Sequence, residues 1–124
     1  MSKIKIKSVI SKNNENISEI ATDALKSDNK IIFYDENNTL MKVEINFNNV
    51  VITRSNDEMK LTMSFEKNKS MESFCEIKTL NSKIDVKTIT KDLIISTSSL
   101  RIIYDMYMSD EYNGTFNYKL EWRD

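Results

Sequence analysis

The sequence predicts an all-β protein, a single antiparallel up-and-down barrel of about 8 to 10 strands occupying residues 1–124 as one domain. Three observations predict it. Apolar and polar residues alternate with period two in segments short enough to be strands. Polar breaks separate those segments at the spacing, roughly 8 to 12 residues, of sandwiches and barrels. The chain holds no proline and one glycine, Gly114, so its turns must fall on Asn, Asp and Ser, which tolerate left-handed backbone or bond their own main chain. A meander this long accumulates twist, and two unpaired edges would invite aggregation, so closure is the expected outcome.

The first segment, Lys3 to Ile10, sets Ile4 and Ile6 on one face and Lys3, Lys5 and Lys7 on the other. Ile17 to Leu25 has a mixed pattern: Ile17, Ile20 and Leu25 suit either a helix face or a strand with a bulge, and a bulged strand is expected. Lys30 to Asp35 carries the run Ile31-Ile32-Phe33-Tyr34. Leu40 to Phe47 then alternates Met41, Val43, Ile45 and Phe47 with Lys42, Glu44 and Asn46. Asn48-Asn49 is read as a two-residue hairpin turn, because both side chains tolerate positive φ.

Val50 to Ser55 returns, and Lys60 to Glu66 places Leu61, Met63 and Phe65 together. Met71 to Thr79 aligns Met71, Cys75 and Ile77. Ser82 to Thr90 and Asp92 to Thr97 read as two separate strands. The last pair is Leu100 to Met108, with Leu100, Ile102, Tyr104, Met106 and Met108 on one face, and Phe116, Tyr118, Leu120 and Trp122 on its partner, joined by Asp110 to Gly114.

Composition narrows the chemistry. There is no histidine, the side chain that titrates nearest neutrality and the commonest transition-metal ligand, so most hydrolase and metalloenzyme templates fail. Eighteen basic against nineteen acidic residues disfavour sequence-independent nucleic-acid binding. The lone Cys75 cannot form an internal disulfide and suits a reducing compartment. The opening MSKIKIKSVISKN alternates too regularly for a secretory signal, and no run reaches the about 18 apolar residues of a membrane helix. A cytoplasmic location away from membranes is the expectation.

Five stretches carry a family resemblance: the basic start KIKIKSVI, VVITRS ending near Arg54, LTMSFEKNK from Leu61, IKTLNSKIDVKT from Ile77, and RIIYDMYM from Arg101. In their order and spacing they are similar to the DUF1934 or YwiB-like family of uncharacterised bacterial proteins. The resemblance implies a calycin-like, lipocalin-like barrel and no assigned activity. The chain departs from the family where glycine is favoured, with Ser55-Asn56 after Arg54 and Ser82 in the TLNSK turn.

Candidate sites weigh unevenly. Cys75 shares a face with Met71 and Ile77 and reads as core rather than nucleophile. Arg54 shares a face with Val50 and Ile52. Its guanidinium either sits at the barrel mouth, able to fork onto a carboxylate or phosphate, or snorkels to water or an acidic side chain, the commoner case. Asp57-Glu58 and Asp110-Glu111 fall in turns, where facing carboxylates for catalysis are not expected. Lys3, Lys5, Lys7 and Lys12 read as guards of an exposed sheet edge more readily than as a contact for RNA or an acidic protein. Tyr107 and Tyr112 are candidates for an exposed, adhesive face.

The leading expectation is a non-enzymatic module holding a small, partly apolar ligand in or at the mouth of the barrel, without metal or cofactor. The residues proposed to hold it are Arg54, Met63, Phe65, Tyr104, Met106, Phe116, Tyr118 and Trp122. The alternative is a structural or interaction protein acting through self-association or pairing with another protein.

Overall fold

The computed structural model describes residues 1–124. Alternation becomes ten strands: β1 (Ser2–Lys12), β2 (Glu15–Ser27), β3 (Lys30–Tyr34), β4 (Leu40–Ile45), β5 (Asn49–Ser55), β6 (Met59–Glu66), β7 (Ser70–Ile77), β8 (Ser82–Ile95), β9 (Ser99–Met108) and β10 (Glu111–Arg123). Each strand pairs antiparallel with its neighbours in sequence, and β1 pairs with β10 to close the barrel. One 3₁₀ turn, Lys78–Leu80, interrupts the β-structure.

Inward positions supply the core. Ile4 and Ile6 of β1, Val43 of β4, Val50 and Ile52 of β5, Ile102 of β9 and Leu120 of β10 are all buried. Each such side chain contributes about 1.5–3 kcal/mol relative to staying exposed. Outward positions are charged: Lys3 and Lys5 reach Asp23 at 3.4 and 3.3 Å, and Lys7 reaches Glu19 at 3.7 Å. An apolar interior under a charged exterior reverses the pattern of a lipid-facing barrel.

The turns use the expected residue types. Asn13 and Asn14 (φ 50° and 70°) and Ser109 and Asp110 (φ 51° and 65°) place two consecutive residues at positive φ, as type I′ hairpins require. In the Lys78–Leu80 turn the left-handed residue is Asn81 (φ 48°), so Ser82 is spared the strain.

Several details differ from the sequence reading. The segments expected at Ser82–Thr90 and Asp92–Thr97 join in one strand, β8, which ends at Ile95 and has a bulge between Thr90 and Asp92 that breaks the alternation there. Asn48 and Asn49 are not at positive φ; Asn46 and Asn49 close that hairpin, N–H to O at 2.9 Å, around Phe47 and Asn48. Phe47 is therefore not inward but 99% exposed at the tip. The bulged strand expected over residues 17–25 is present within β2, with its bulge at Ile17, and of its three apolar residues only Ile20 faces the core. β1 is not an edge, since both of its sides are paired. Lys12 leaves the outward row of lysines: it pairs with inward-facing Phe116 and sets its Nζ 5.7 Å from that ring's centroid.

Two seams are short. β2 and β3 pair only from Leu25↔Ile32 to Ser27↔Lys30, although β2 runs back to Glu15. β6 and β7 pair only from Met59↔Ile77 to Leu61↔Cys75. Thr88 of β8 reaches across behind the second seam and donates its hydroxyl to Ser64 O at 2.7 Å.

Candidate functional site

In a closed meander every second connection lies at the same end, which here gathers Asn13–Asn14, Asp35–Thr39, Asn56–Glu58, the Lys78–Leu80 turn and Ser109–Asp110. At this end the short β2–β3 seam leaves a gap, bridged by Ser18 Oγ donating to Glu36 Oε1 at 3.3 Å. A cavity of about 170 Å³ opens there. Ile17, Ser18, Glu36 and Asn37 form its lips, and Ile10, Met41, Ile52, Leu61, Met63 and Met106 supply apolar wall. Arg54, Tyr104, Phe116 and Tyr118 complete it.

Arg54 is placed by β5, whose alternation turns Val50, Ile52 and Arg54 inward in succession. The residue stands at the mouth and pairs there with an acidic side chain. Its Nη2 donates to Asp35 Oδ2 at 3.2 Å, and the same side chain faces the cavity. Its Nε is buried without a hydrogen-bond partner. Asp35 is in turn fixed by its loop: Oδ1 accepts the backbone N–H groups of Asn37 at 2.9 Å and Thr39 at 3.0 Å.

The aromatic wall is stacked. Tyr104 and Phe116 rings lie 5.4 Å apart and 13° from parallel, and Phe65 meets Tyr104 at 4.6 Å from behind. The Tyr118 hydroxyl has no hydrogen-bond partner of acceptable geometry, although Ser8 stands close enough to favour its ionised form. Burial nevertheless pushes Tyr118 up to about 12, against the smaller pull of Ser8 and of the Arg54 charge. Tyr104 is pushed up as well, first by burial and then by Tyr118. Both hydroxyls are therefore protonated at neutral pH and available as donors.

Of the residues singled out in the sequence, Arg54, Met63, Tyr104, Met106, Phe116 and Tyr118 converge on this cavity. Phe65 and Trp122 do not line it. Phe65 is fully buried behind Tyr104, and Trp122 lies at the opposite end beside Ser98, whose carbonyl accepts its backbone N–H at 3.0 Å. Trp122 borders a broader depression of about 890 Å³ there, but Lys5, Lys7, Asp23 and Glu121 in its lining are outward-facing, so this is open surface. The lip residues Ile17, Ser18, Glu36 and Asn37 were not anticipated. Cys75 is 3% exposed in the core, and burial pushes its thiol up, away from reactivity. Tyr112 is exposed, as expected, and its ring tilts against that of half-buried Tyr107 at 5.5 Å.

These features define a class: closed ten-stranded antiparallel barrels with a small, mainly apolar cavity at one mouth. The chain belongs to the family described as "Domain of unknown function (DUF1934)", which matches residues 4–120. It is similar to the crystal structure of the ywiB protein from Bacillus subtilis, with a TM-score of 0.63 and 19% identity over 98% of this chain and 91% of that one. At this identity the likeness is one of fold. No curated protein matches the chain significantly.

Proposed function

We propose that the protein is a non-enzymatic binding module, a calycin-like barrel of the reducing cytoplasm that takes a small, partly apolar ligand at its mouth. The observation that carries this reading is the cavity itself, which places one guanidinium among methionine, aliphatic and aromatic walls. Its size sets the ligand's: a 150 Å³ apolar cavity is known to accept benzene, so about 170 Å³ suits a single ring or a branched chain of about six carbons. The methionines add adaptability, since unbranched thioethers repack around differing shapes. Asp35 is engaged by Arg54 and two backbone N–H groups and is poorly placed to act as a base.

Thermal-shift measurement across a library of metabolite-sized compounds tests the proposal, with Ile10→Trp as a variant that fills the mouth. Stabilisation of the wild type that disappears in Ile10→Trp supports it. A library that leaves the wild type unmoved, or moves both proteins alike, sinks it.

A second reading, interaction through an outer face, rests on exposed Tyr112 and Phe74 flanking a depression of about 350 Å³ that includes Tyr107 and Lys87. Sedimentation velocity separates the two: a monomer at all concentrations leaves self-association without support.

A further inference from the structure

The cavity's one carboxylate, Glu36, stands at the lip and accepts from Ser18, whereas two donors deeper in the wall have nothing to donate to. Arg54 Nε–H is buried and unpartnered, even though the guanidinium's Nη2 is held by Asp35. The Tyr118 O–H is buried and unpartnered on a residue only 2% exposed. An unmade hydrogen bond on a buried group is costly, and proteins seldom leave one without a role for it. Asp35 meets neither group: its Oδ2 accepts from Arg54 Nη2 and its Oδ1 from the Asn37 and Thr39 backbone. Outside the lining, Lys12 sets its Nζ 5.7 Å from the Phe116 ring and makes no ion pair.

Donors on a mainly apolar wall call for a ligand with a compact acceptor head and a short hydrocarbon body. We propose that the ligand is a small monocarboxylate, its two oxygens accepting from Arg54 Nε–H and Tyr118 O–H and its apolar part packed on Met63, Met106 and Phe116. This deepens the binding-module reading and rests on it. A carboxylate offers two coplanar acceptors, which a guanidinium edge and a hydroxyl can meet together. The Asp35 contact leaves Arg54 oriented before the ligand arrives, so little is lost in ordering it.

The test uses the whole protein carrying labelled methionine methyl groups, titrated at neutral pH with isovalerate, hexanoate and benzoate, each beside its own primary amide. The acids are expected to bind at least about tenfold more tightly than the amides. Tyr118→Phe removes an O–H that donates to nothing in the protein and loses at most the marginal approach of Ser8, so it should fold normally, weaken the acids by about three- to tenfold and leave the amides unchanged. Arg54→Lys, which keeps the charge but loses Nε, should weaken the acids similarly. Equal binding of acids and amides, or an acid preference untouched in Tyr118→Phe, overturns the carboxylate assignment while leaving the apolar cavity as the site. If none of the six compounds shifts the Met63 or Met106 methyls, both this inference and the binding-module reading fail.

Discussion

Asp35 and Arg54 are joined at the barrel mouth at 3.2 Å, and Asp35 also holds the turn that forms one lip of the cavity. One carboxylate thus ties a loop, a strand and the cavity's cation together. Asp35→Ala is expected to lower stability by about 2–4 kcal/mol in urea unfolding, because it strips two backbone N–H groups and a partly buried guanidinium of their acceptor. In an Arg54→Met background the same substitution should cost about 1 kcal/mol less. Full additivity would show that the contact contributes nothing.

The buried tyrosines make stability fall in alkali. Below the unfolded-state value of about 10 both states keep the Tyr118 proton, and stability is independent of its titration. As pH rises from about 10, the unfolded chain loses that proton first, and stability drops until the folded-state value of about 12 is passed. Tyr104 acts in the same direction. Followed by phenolate absorbance, some of the five tyrosines should ionise only together with unfolding. Tyr118→Phe should flatten the decline, and smooth ionisation of all five in the folded protein would refute the assignment.

Thr88 and Thr90 offer a matched pair on β8. Thr88 closes the β6–β7 seam by donating to Ser64 O, whereas the equally buried Thr90 hydroxyl has no partner. Valine at position 88 should cost about 1–2 kcal/mol and speed hydrogen exchange in Thr62–Glu66. At position 90 the same change should be neutral or stabilising. Equal effects would mean that the cross-barrel bond carries no weight.

Gly114 sits at φ 139°, beside the bulge between Tyr112 and Gly114, and a Cβ there would lie 2.8 Å from Lys12 Cε. Lys12 can swing away, but the backbone cannot. Gly114→Ala is expected to lower the urea midpoint by an amount equivalent to about 1–3 kcal/mol, and Lys12→Ala should not rescue it.

The strands were legible because a half-buried strand writes its two faces into alternate residues. Legibility failed where the backbone changes phase. The bulge past Thr90 sets Lys91 and Asp92 both off the inner face, which made β8 look like two strands, and the bulge at Ile17 mixes the pattern of β2 so that a helix face fits it as well. Alternation likewise gave the inward face of Arg54, Tyr104 and Tyr118 without giving their depth. Trp122 and Phe65 share the inward side with the cavity residues yet stand elsewhere along the barrel, because depth depends on register and tilt rather than on the pattern of one strand. The lips at Glu36 and Asn37 belong to a loop with no period to read, and the gap beneath them follows from where β2–β3 pairing stops.

Entry of a small ligand into the mouth cavity can be watched by methionine methyl NMR, because three of the seven methionines, Met41, Met63 and Met106, line that cavity. Titration with benzoate should move those three methyl signals in a saturable way and leave Met1, Met59, Met71 and Met108 in place. Signals that stay fixed at saturating benzoate, or that shift without regard to the cavity, would mean that no such ligand enters it.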